Sequence, residues 1–243
     1  MAFSTGKIII LDTVDSTNNY AMGMIEKGEA ISGNAVQTLE QTQGKGTRGK
    51  HWKAAAGENI LLSICVEMQY QPISRQFELL IAVALGVYDF FAKHINADIC
   101  IKWPNDLFIN DRKAGGILIE NKIKGTLWQW AVIGIGINVN QTDFQDLDKA
   151  ANSFANVSGE KYDVVVLGGE LRGFVLARIE VLKSISFGEM LKEYNSHLWS
   201  RGKVIKLKKG EEVFENRILG VNEDGELVTE RGRWRFGEVE WVG

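Results

Sequence analysis

The order of hydrophobic and polar positions predicts that the chain begins with strands and one helix. Strand-like runs, either aliphatic or alternating, occupy residues 7–11, 34–39 and 59–68. Between the first two runs, hydrophobic side chains recur four residues apart, as on one face of a helix. This spacing predicts a helix that Ser16 or Thr17 caps and Gly28 ends.

The middle of the chain predicts a long helix, then a group of strands, then two further helices. Residues 74–95 place hydrophobic side chains at helical spacing and carry the strongest helical signal. Strand-like segments follow at 99–103, 107–109, 116–120 and 126–137, and helical segments at 163–182 and 187–199.

The pattern changes after Arg201 and Gly202, where short alternating segments are separated by glycines. Regular short strands with glycine turns are typical of a small β-barrel. We therefore predict a domain boundary near residue 200, with one domain over residues 1–200 and a second over residues 201–243.

Composition limits the classes of protein that need to be considered. The chain of 243 residues is 45% hydrophobic and 24% charged, with a formal net charge of -3, which is ordinary for a globular protein and unlike a basic nucleic-acid binder. It has no signal-peptide pattern and no membrane-spanning run, so we expect a cytoplasmic protein. Cys65 and Cys100 lie in apolar runs and are expected to be reduced core thiols.

A glycine-rich basic segment, residues 41–52, is the first with recognisable chemistry. Its three glycines allow close backbone approach to a ligand, and Lys45, Arg48 and Lys50 add three positive charges. The segment could bind a phosphate or an acyl phosphate. A basic turn exposed to solvent would show the same sequence pattern. A nucleotide P-loop is excluded, because His51 replaces the required Ser or Thr and a strand follows.

Two further polar groups lie near predicted strand ends. Asn105 and Asp106 follow Pro104 on a turn, where Asp106 could bind Mg²⁺ or orient a basic side chain. Lys113 precedes two glycines and could neutralise an anion along a bound ligand. The alternatives are an ordinary Asn-Asp turn and a surface lysine.

The glycines of residues 133–140 interrupt an apolar strand. They form no dinucleotide fingerprint, because the third glycine and the following helix are missing. They would admit a flat ring against the backbone, and Asn138 offers a donor and an acceptor to an adenine edge. A glycine-containing core strand is the alternative.

Taken in order, these segments resemble the biotin protein ligase family. The matching segments are DSTN at 15–18, QTQGKGTRGKHW at 41–52, KWPND at 102–106, DRKAGGIL at 111–118 and GIGINVN at 134–140. The resemblance implies an α+β fold of the class II synthetase-like type, with a mixed β-sheet flanked by helices and a small C-terminal SH3-like β-barrel. It implies an enzyme that converts biotin and ATP, with Mg²⁺, to biotinyl-5'-AMP. Biotin then passes to a lysine on the biotin carrier domain of a carboxylase.

The resemblance also implies roles for individual residues, with Lys113 as the catalytic group between biotin's carboxylate and the α-phosphate. The residues expected to bind biotin are Ser16, Thr17, Asn18, Gln41, Lys45, Gly46, Thr47, Lys113, Gly115 and Gly116. Those expected to bind ATP or the adenylate are Lys45, Arg48, Trp52, Asn105, Asp106, Lys113 and Asn138. Asp106 is the one candidate protein ligand for Mg²⁺.

Two departures from the family pattern matter. The family loop is commonly Gly-Arg-Gly-Arg-x-Gly-Arg, whereas this chain has Lys45, Thr47 and Lys50 at the arginine positions. Lysine loses the planar fork of arginine and threonine loses its charge as well, so we expect altered retention of the activated intermediate. Only 14 residues precede Asp15, too few for a helix-turn-helix, so we expect no DNA binding.

Two other readings stay open at this point. A lipoate ligase would share the fold and the acyl-adenylate chemistry, although KWPND followed by DRKAGGIL favours biotin. A biotin- or nucleotide-binding module without turnover is a second alternative, which the intact Lys113 and basic segment oppose. Neither a membrane partner nor a fixed oligomeric state is expected, and a homodimer formed through exposed sheet edges stays open.

Overall fold

The computed structural model describes residues 6–68, 72–144 and 151–242. The helices are α1 Thr17–Glu26, α2 Gln76–His94, α3 Phe154–Ser158, α4 Val164–Val181 and α5 Phe187–Ser196. The first seven strands are β1 Ile8–Val14, β2 Ala35–Gln41, β3 Asn59–Glu67, β4 Ile99–Lys102, β5 Asp106–Ile109, β6 Arg112–Lys124 and β7 Leu127–Asn138. The last five are β8 Val204–Lys209, β9 Glu212–Val221, β10 Leu227–Thr229, β11 Gly232–Trp234 and β12 Glu240–Val242.

The first seven strands form one sheet in the order β1-β2-β3-β7-β6-β5-β4. Strands β1 and β2 pair in parallel, and every other neighbouring pair is antiparallel. The expected mixed sheet is therefore confirmed. The antiparallel core of β3, β7 and β6 places the glycines of β6 and β7 beside one another, with Gly116 opposite Gly136.

Hydrophobic packing places helices on both faces of this sheet, as expected. Helix α2 is apolar nearly all round and packs with α4 into the large core, as a helix buried on most sides requires. Helix α1 covers the opposite face, where Ala21, Met24 and Ile25 pack with Cys65 and Val132. Because α1 lies over β2, β3 and β7, its N-terminus is held close to the centre of the sheet.

The C-terminal strands form a second, antiparallel sheet in the order β11-β10-β9-β8-β12. The expected β-barrel is wrong, because closure needs the first and last strands to pair, and within residues 201–242 β11 and β12 stay at opposite edges. Each of these edge strands is only three residues long. Ile218, Val221 and Leu227 join the main hydrophobic core, so the domain boundary near residue 200 stays a prediction.

Some local expectations differ from the structure. Strand β6 runs over 13 residues, longer than the predicted 116–120, because polar residues such as Asn121 and Lys122 continue its pairing with β7. The five-residue helix α3 was not predicted, since it is too short for a periodic signal.

Cys65 and Cys100 are both free thiols, and burial raises the pKa of Cys65 to about 11. Within the described parts of the chain, no helix is long and apolar enough to cross a bilayer.

Gly86 allows α2 to pack closely on α4, and we expect Gly86→Ala to destabilise the protein. A Cβ at Gly86 would lie 2.8 Å from the Cα of Val175 and 3.1 Å from the carbonyl oxygen of Phe174. Because both are backbone atoms, the helices would have to separate, which should lower the free energy of unfolding by about 1–3 kcal/mol. Urea denaturation measures this loss.

Gly23→Ala in α1 is the matched control. A Cβ at Gly23 would meet nothing within 4 Å, so this change should stabilise the protein by about 0.5–1 kcal/mol, the usual gain for a helical glycine. If both variants unfolded at the same urea concentration as the wild type, α2 and α4 would not be in the close contact described here.

Candidate active site

A single cleft between the N-terminus of α1, the glycine-rich segment and strands β6 and β7 is the candidate active site. It encloses about 500 Å³ of empty space, part of it open to solvent. The residues that line it are Ser16, Thr17, Asn18, Gln41, Lys45, Gly46, Thr47, Trp52, Leu61, Asn105, Asp106, Lys113, Gly116, Ile117, Leu118, Gly134, Ile135 and Gly136.

The structure brings most of the predicted site residues into this cleft. Arg48, Gly115 and Asn138 are the predicted residues that do not line it. The residues that line the cleft but were not predicted as site residues are Leu61, Ile117, Leu118, Gly134, Ile135 and Gly136. Leu61 pairs with Gly136 across β3 and β7, so the register of these strands carries the signal, and a single sequence does not show that register.

The N-terminus of α1 is capped from outside the helix. Ser16 occupies the N-cap position, but its side chain makes no capping hydrogen bond. Instead, the Oε1 atom of Gln41 accepts hydrogen bonds from the backbone N–H and the hydroxyl of Thr17, at 2.8 and 3.0 Å. Ser16 is therefore the N-cap residue, as expected, but Gln41 and not the Ser16 side chain accepts the hydrogen bond at this helix end. Gln41 fixes the helix end relative to β2 and the glycine-rich segment.

A buried polar cluster lies behind this helix end. The Oγ atom of Ser63 lies 2.7 Å from Oγ1 of Thr17 and 2.6 Å from Oδ1 of Asn18. The Nδ2 atom of Asn18 donates to Oε2 of Glu120 at 2.7 Å. The sequence did not predict a role for Ser63 or Glu120, because both lie outside the recognised motifs. Together these partners fix the orientation of the Asn18 amide.

Lys113 points toward the cleft and forms an ion pair with Asp106. Its Nζ atom lies 2.6 Å from Oδ1 of Asp106 and 5.7 Å from the centre of the Trp52 ring. The side chains of Lys113 and Asp106 are 36% and 27% exposed, so solvent and substrate can both reach them. A lysine in this position can exchange its carboxylate for a substrate anion.

The turn that carries Asp106 is held at three points. The hydroxyl of Tyr194 donates a hydrogen bond to the carbonyl oxygen of Pro104 at 3.1 Å. The indole N–H of Trp103 donates to the carbonyl oxygen of Gly225 at 3.0 Å. The Nδ2 atom of Asn105 donates to the Ile117 carbonyl oxygen at 2.5 Å. Asn105 is therefore engaged with β6 while it lines the cleft. Burial raises the pKa of Tyr194, so this hydroxyl stays a donor.

We expect Tyr194→Phe to weaken this turn. The change removes one hydrogen bond to the carbonyl oxygen of Pro104, which should lower the free energy of unfolding by about 1 kcal/mol. Urea denaturation measures it. Tyr20→Phe, at a side chain 39% exposed, is the control and should leave stability unchanged. Equal stabilities for both variants would remove the supporting role of Tyr194.

The glycine-rich segment folds as a small hairpin. The N–H of Trp52 donates to the Gly44 carbonyl oxygen at 2.9 Å, and Lys45 pairs with His51 in an antiparallel bridge. At the tip, Arg48 has a left-handed φ of 57°. Its guanidinium lies 3.9 Å from Oε1 of Glu240 on β12. Arg48 therefore faces the C-terminal sheet, and its predicted adenylate contact stays a prediction.

The Trp52 ring lies flat against the glycines of β6 and β7. A Cβ on Gly136 would lie 2.5 Å from Cε2 of Trp52, and one on Gly116 would lie 3.2 Å from Cζ3. The glycines therefore make room for Trp52 in this structure. The Nε1 atom of Trp52 is buried and has no hydrogen-bond partner among the described residues. A buried N–H group without a partner costs free energy, so a ligand that accepts a hydrogen bond from it would stabilise this ring position.

Asn138 and Gly115 are placed outside the cleft. The Nδ2 atom of Asn138 donates to the Asn152 carbonyl oxygen at 3.0 Å and lies 3.5 Å from that of Lys113. Asn138 thus stabilises the backbone that carries Lys113. A Cβ on Gly115 would lie 3.3 Å from the Phe91 ring, so Gly115 faces the core whereas Gly116 faces the cleft. Neither residue lines the cleft in this structure. The ligand contacts predicted for Asn138 and Gly115 stay predictions.

The cleft offers little to bind a metal directly. Within residues 6–68, 72–144 and 151–242, no group of three His, Cys, Asp or Glu side chains could hold a metal ion. Asp106 is a single carboxylate and is shared with Lys113. These residues fit a magnesium ion that arrives on a nucleotide and takes at most one ligand from the protein.

Comparison with known proteins identifies related sequences. A family model described as the biotin/lipoate A/B protein ligase family matches residues 10–138. The bifunctional ligase/repressor BirA of Bacillus spizizenii is 29% identical over 238 residues, which cover 92% of this chain and 69% of that protein. The biotin--[acetyl-CoA-carboxylase] ligase of Paracoccus denitrificans is 32% identical over 155 residues, 62% of each chain.

Solved structures share the whole architecture. A biotin protein ligase from Aquifex aeolicus in complex with biotin and ATP matches with a TM-score of 0.80 at 23% identity, covering 97% of this chain and 98% of that chain. A biotin protein ligase from Leishmania major in complex with biotin matches with a TM-score of 0.69 at 21% identity, covering 99% of each chain. At these identities the likeness shows the fold.

Proposed function

Because this chain belongs to the biotin/lipoate A/B protein ligase family, we propose that it is an ATP-dependent biotin protein ligase. It activates biotin with ATP to biotinyl-5'-AMP and transfers biotin to a lysine of a biotin carrier domain. The names of relatives, which include biotin--[acetyl-CoA-carboxylase] ligases, support both the reaction and the acceptor.

One observation carries the proposal: Lys113 and Lys45 come from distant parts of the chain and line the same cleft. Each lysine is paired with a carboxylate, Lys113 with Asp106 and Lys45 with Glu120. Two anionic reactants repel each other, and mobile ammonium groups can neutralise that repulsion. The cleft therefore suits the joining of a carboxylate to a phosphate.

In the first step, a carboxylate oxygen of biotin attacks the α-phosphorus of ATP, and pyrophosphate leaves. Lys113 would hold the carboxylate and the α-phosphate together as their charges approach. Asp106 is the cleft carboxylate that could hold a magnesium ion bound to ATP, and such an ion would offset the charge of the phosphates. In the second step, the amine of the acceptor lysine attacks the acyl carbon, and AMP leaves with the anhydride oxygen.

The polar end of the cleft favours biotin over lipoate. Thr17, Asn18, Gln41 and Ser63 combine hydrogen-bond donors and acceptors in one buried cluster. The ureido ring of biotin carries two N–H groups and a carbonyl, whereas the dithiolane ring of lipoate carries none. A site built for hydrogen bonds rejects a ligand that leaves its polar groups unpaired. Calorimetry should therefore give measurable binding of biotin and none of lipoate at equal concentration.

The acceptor and the location complete the proposal. A biotin carrier domain of a carboxylase presents its lysine to the open side of the cleft, and the cytoplasm supplies the ATP. Whether two copies pair is independent of the chemistry proposed for the cleft.

The test is an assay with biotin, MgATP and a carrier domain of acetyl-CoA carboxylase. Mass spectrometry of the carrier should show the addition of one biotinyl group on one lysine, dependent on both biotin and ATP. A carrier of unchanged mass, with no AMP formed, would contradict the proposal. Transfer from lipoate in place of biotin would favour the lipoate reading.

A further inference from the structure

We infer that Glu120 is a positioning residue with two roles, so that one carboxylate acts at both ends of the cleft. It binds Lys45 in an ion pair until a substrate anion replaces it, and it orients the amide of Asn18. The inference rests on the proposed function and extends it to a residue outside the family motifs. Glu120 does not line the cleft, whereas Asn18 and Lys45 both do. It therefore acts through these two residues.

The contacts of Glu120 join three separate elements. From β6, its Oε2 atom accepts a hydrogen bond from Nδ2 of Asn18 in α1 at 2.7 Å. Its Oε1 atom lies 3.2 Å from Nζ of Lys45 in the glycine-rich segment. The two oxygens of one carboxylate thus connect the helix end and the segment to the same strand.

The Asn18 contact is built for one orientation of the amide. Asn18 is 3% exposed, and its Oδ1 atom lies 2.6 Å from Oγ of Ser63. Gly134 leaves the necessary room, since a Cβ there would lie 2.4 Å from the same Oδ1. With Oδ1 directed to Ser63, Nδ2 must donate, and Glu120 is its charged acceptor. The Asn18 amide is therefore fixed before any ligand enters.

The Lys45 contact is built to be exchanged. The side chains of Lys45 and Glu120 are 39% and 34% exposed, so solvent screens their attraction and the ion pair is weak. A phosphate that enters the cleft offers Lys45 a charged partner that can replace Glu120. Lys45 also pairs with His51 across the hairpin, so the ion pair contributes to holding the segment on β6 until a substrate anion replaces Glu120.

Glu120→Gln separates the two roles. It keeps an oxygen that can accept from Asn18 but removes the charge that attracts Lys45. In the ligand-free protein, trypsin should cut the segment after Lys45, Arg48 or Lys50 about two- to fivefold faster. Once biotinyl-AMP is bound, Lys45 no longer has a competing carboxylate, so release of the adenylate should slow by about two- to fivefold.

Glu120→Ala also removes the carboxylate acceptor of Asn18 and leaves its Nδ2 atom the carbonyl oxygen of Leu118, at 3.5 Å. It should weaken biotin binding, measured by calorimetry, by about 2- to 10-fold, whereas Glu120→Gln should leave that affinity unchanged. If Glu120 had a purely structural role, Glu120→Gln would not combine faster tryptic cleavage of the glycine-rich segment with slower release of the adenylate. Glu26→Gln is the matched control, because Glu26 also pairs with a lysine of β6, Lys122, at 3.8 Å.

The experiment compares wild type, Glu120→Gln, Glu120→Ala and Glu26→Gln in tryptic cleavage, adenylate release and biotin binding. Wild-type rates of cleavage and release in Glu120→Gln would overturn the inference, as would an equal change in Glu26→Gln. Cleavage needs no substrate, so it tests Glu120 by itself. Failure of the wild type to form biotinyl-AMP would contradict the proposed function instead.

Discussion

Replacing Lys113 with alanine is expected to slow biotin-dependent exchange of pyrophosphate into ATP by about 10²–10³-fold. The ammonium group of Lys113 lies in the cleft beside Asp106, and the change would leave a carboxylate where two anionic reactants must meet. Loss of one charge-stabilising donor has costs of this size in other enzymes. The fold should persist, because the Lys113 side chain is 36% exposed.

Lys124→Ala on the same strand, at an exposed position, is the control and should exchange at the wild-type rate. Circular dichroism and urea denaturation verify that both variants fold. If Lys113→Ala kept the normal exchange rate, the assignment of Lys113 to the reaction would be wrong.

Adding one methyl group at Gly136 is expected to raise the KM for ATP by roughly 5- to 100-fold. A Cβ there would lie 2.5 Å from the Trp52 ring, so Gly136→Ala must expel the ring from its place on β7. If Trp52 stacks on the adenylate, the variant loses an aromatic–base contact worth about 1–3 kcal/mol. Steady-state kinetics with varied ATP measures the change.

The double variant tells whether Trp52 carries this effect. Trp52→Ala alone should raise the KM for ATP by a similar factor, and Gly136→Ala should add little to it, because the two residues act through one contact. Independent effects that multiply in the double variant would contradict this coupling. They would point to a separate role of Gly136 in the strand.

Elements with long, uniform burial could be predicted from sequence. Helix α2 and strand β3 are buried along most of their length, so each shows in the sequence as a long apolar run. The site motifs were also predictable, because Lys113, Lys45 and Gly116 stand beside glycines and charges that ordinary strands lack. These residues do meet in one cleft.

The remaining features depend on pairing between distant segments. Glu120 and Ser63 reach the site only because β3, β7 and β6 pair in one register, which no local pattern encodes. The direction of Arg48 depends on the left-handed turn at its own position. The open C-terminal sheet likewise depends on edge strands that are too short to distinguish a barrel from a sheet by spacing.

A crystal structure with a non-hydrolysable analogue of biotinyl-AMP would test the role of Lys113 in the reaction. We expect the Nζ atom of Lys113 to leave Asp106 and to lie about 2.7–3.2 Å from oxygens of both the acyl and the phosphate groups. A complex in which Nζ points into solvent, with the analogue bound in the cleft, would show that Lys113 does not join the two reactants.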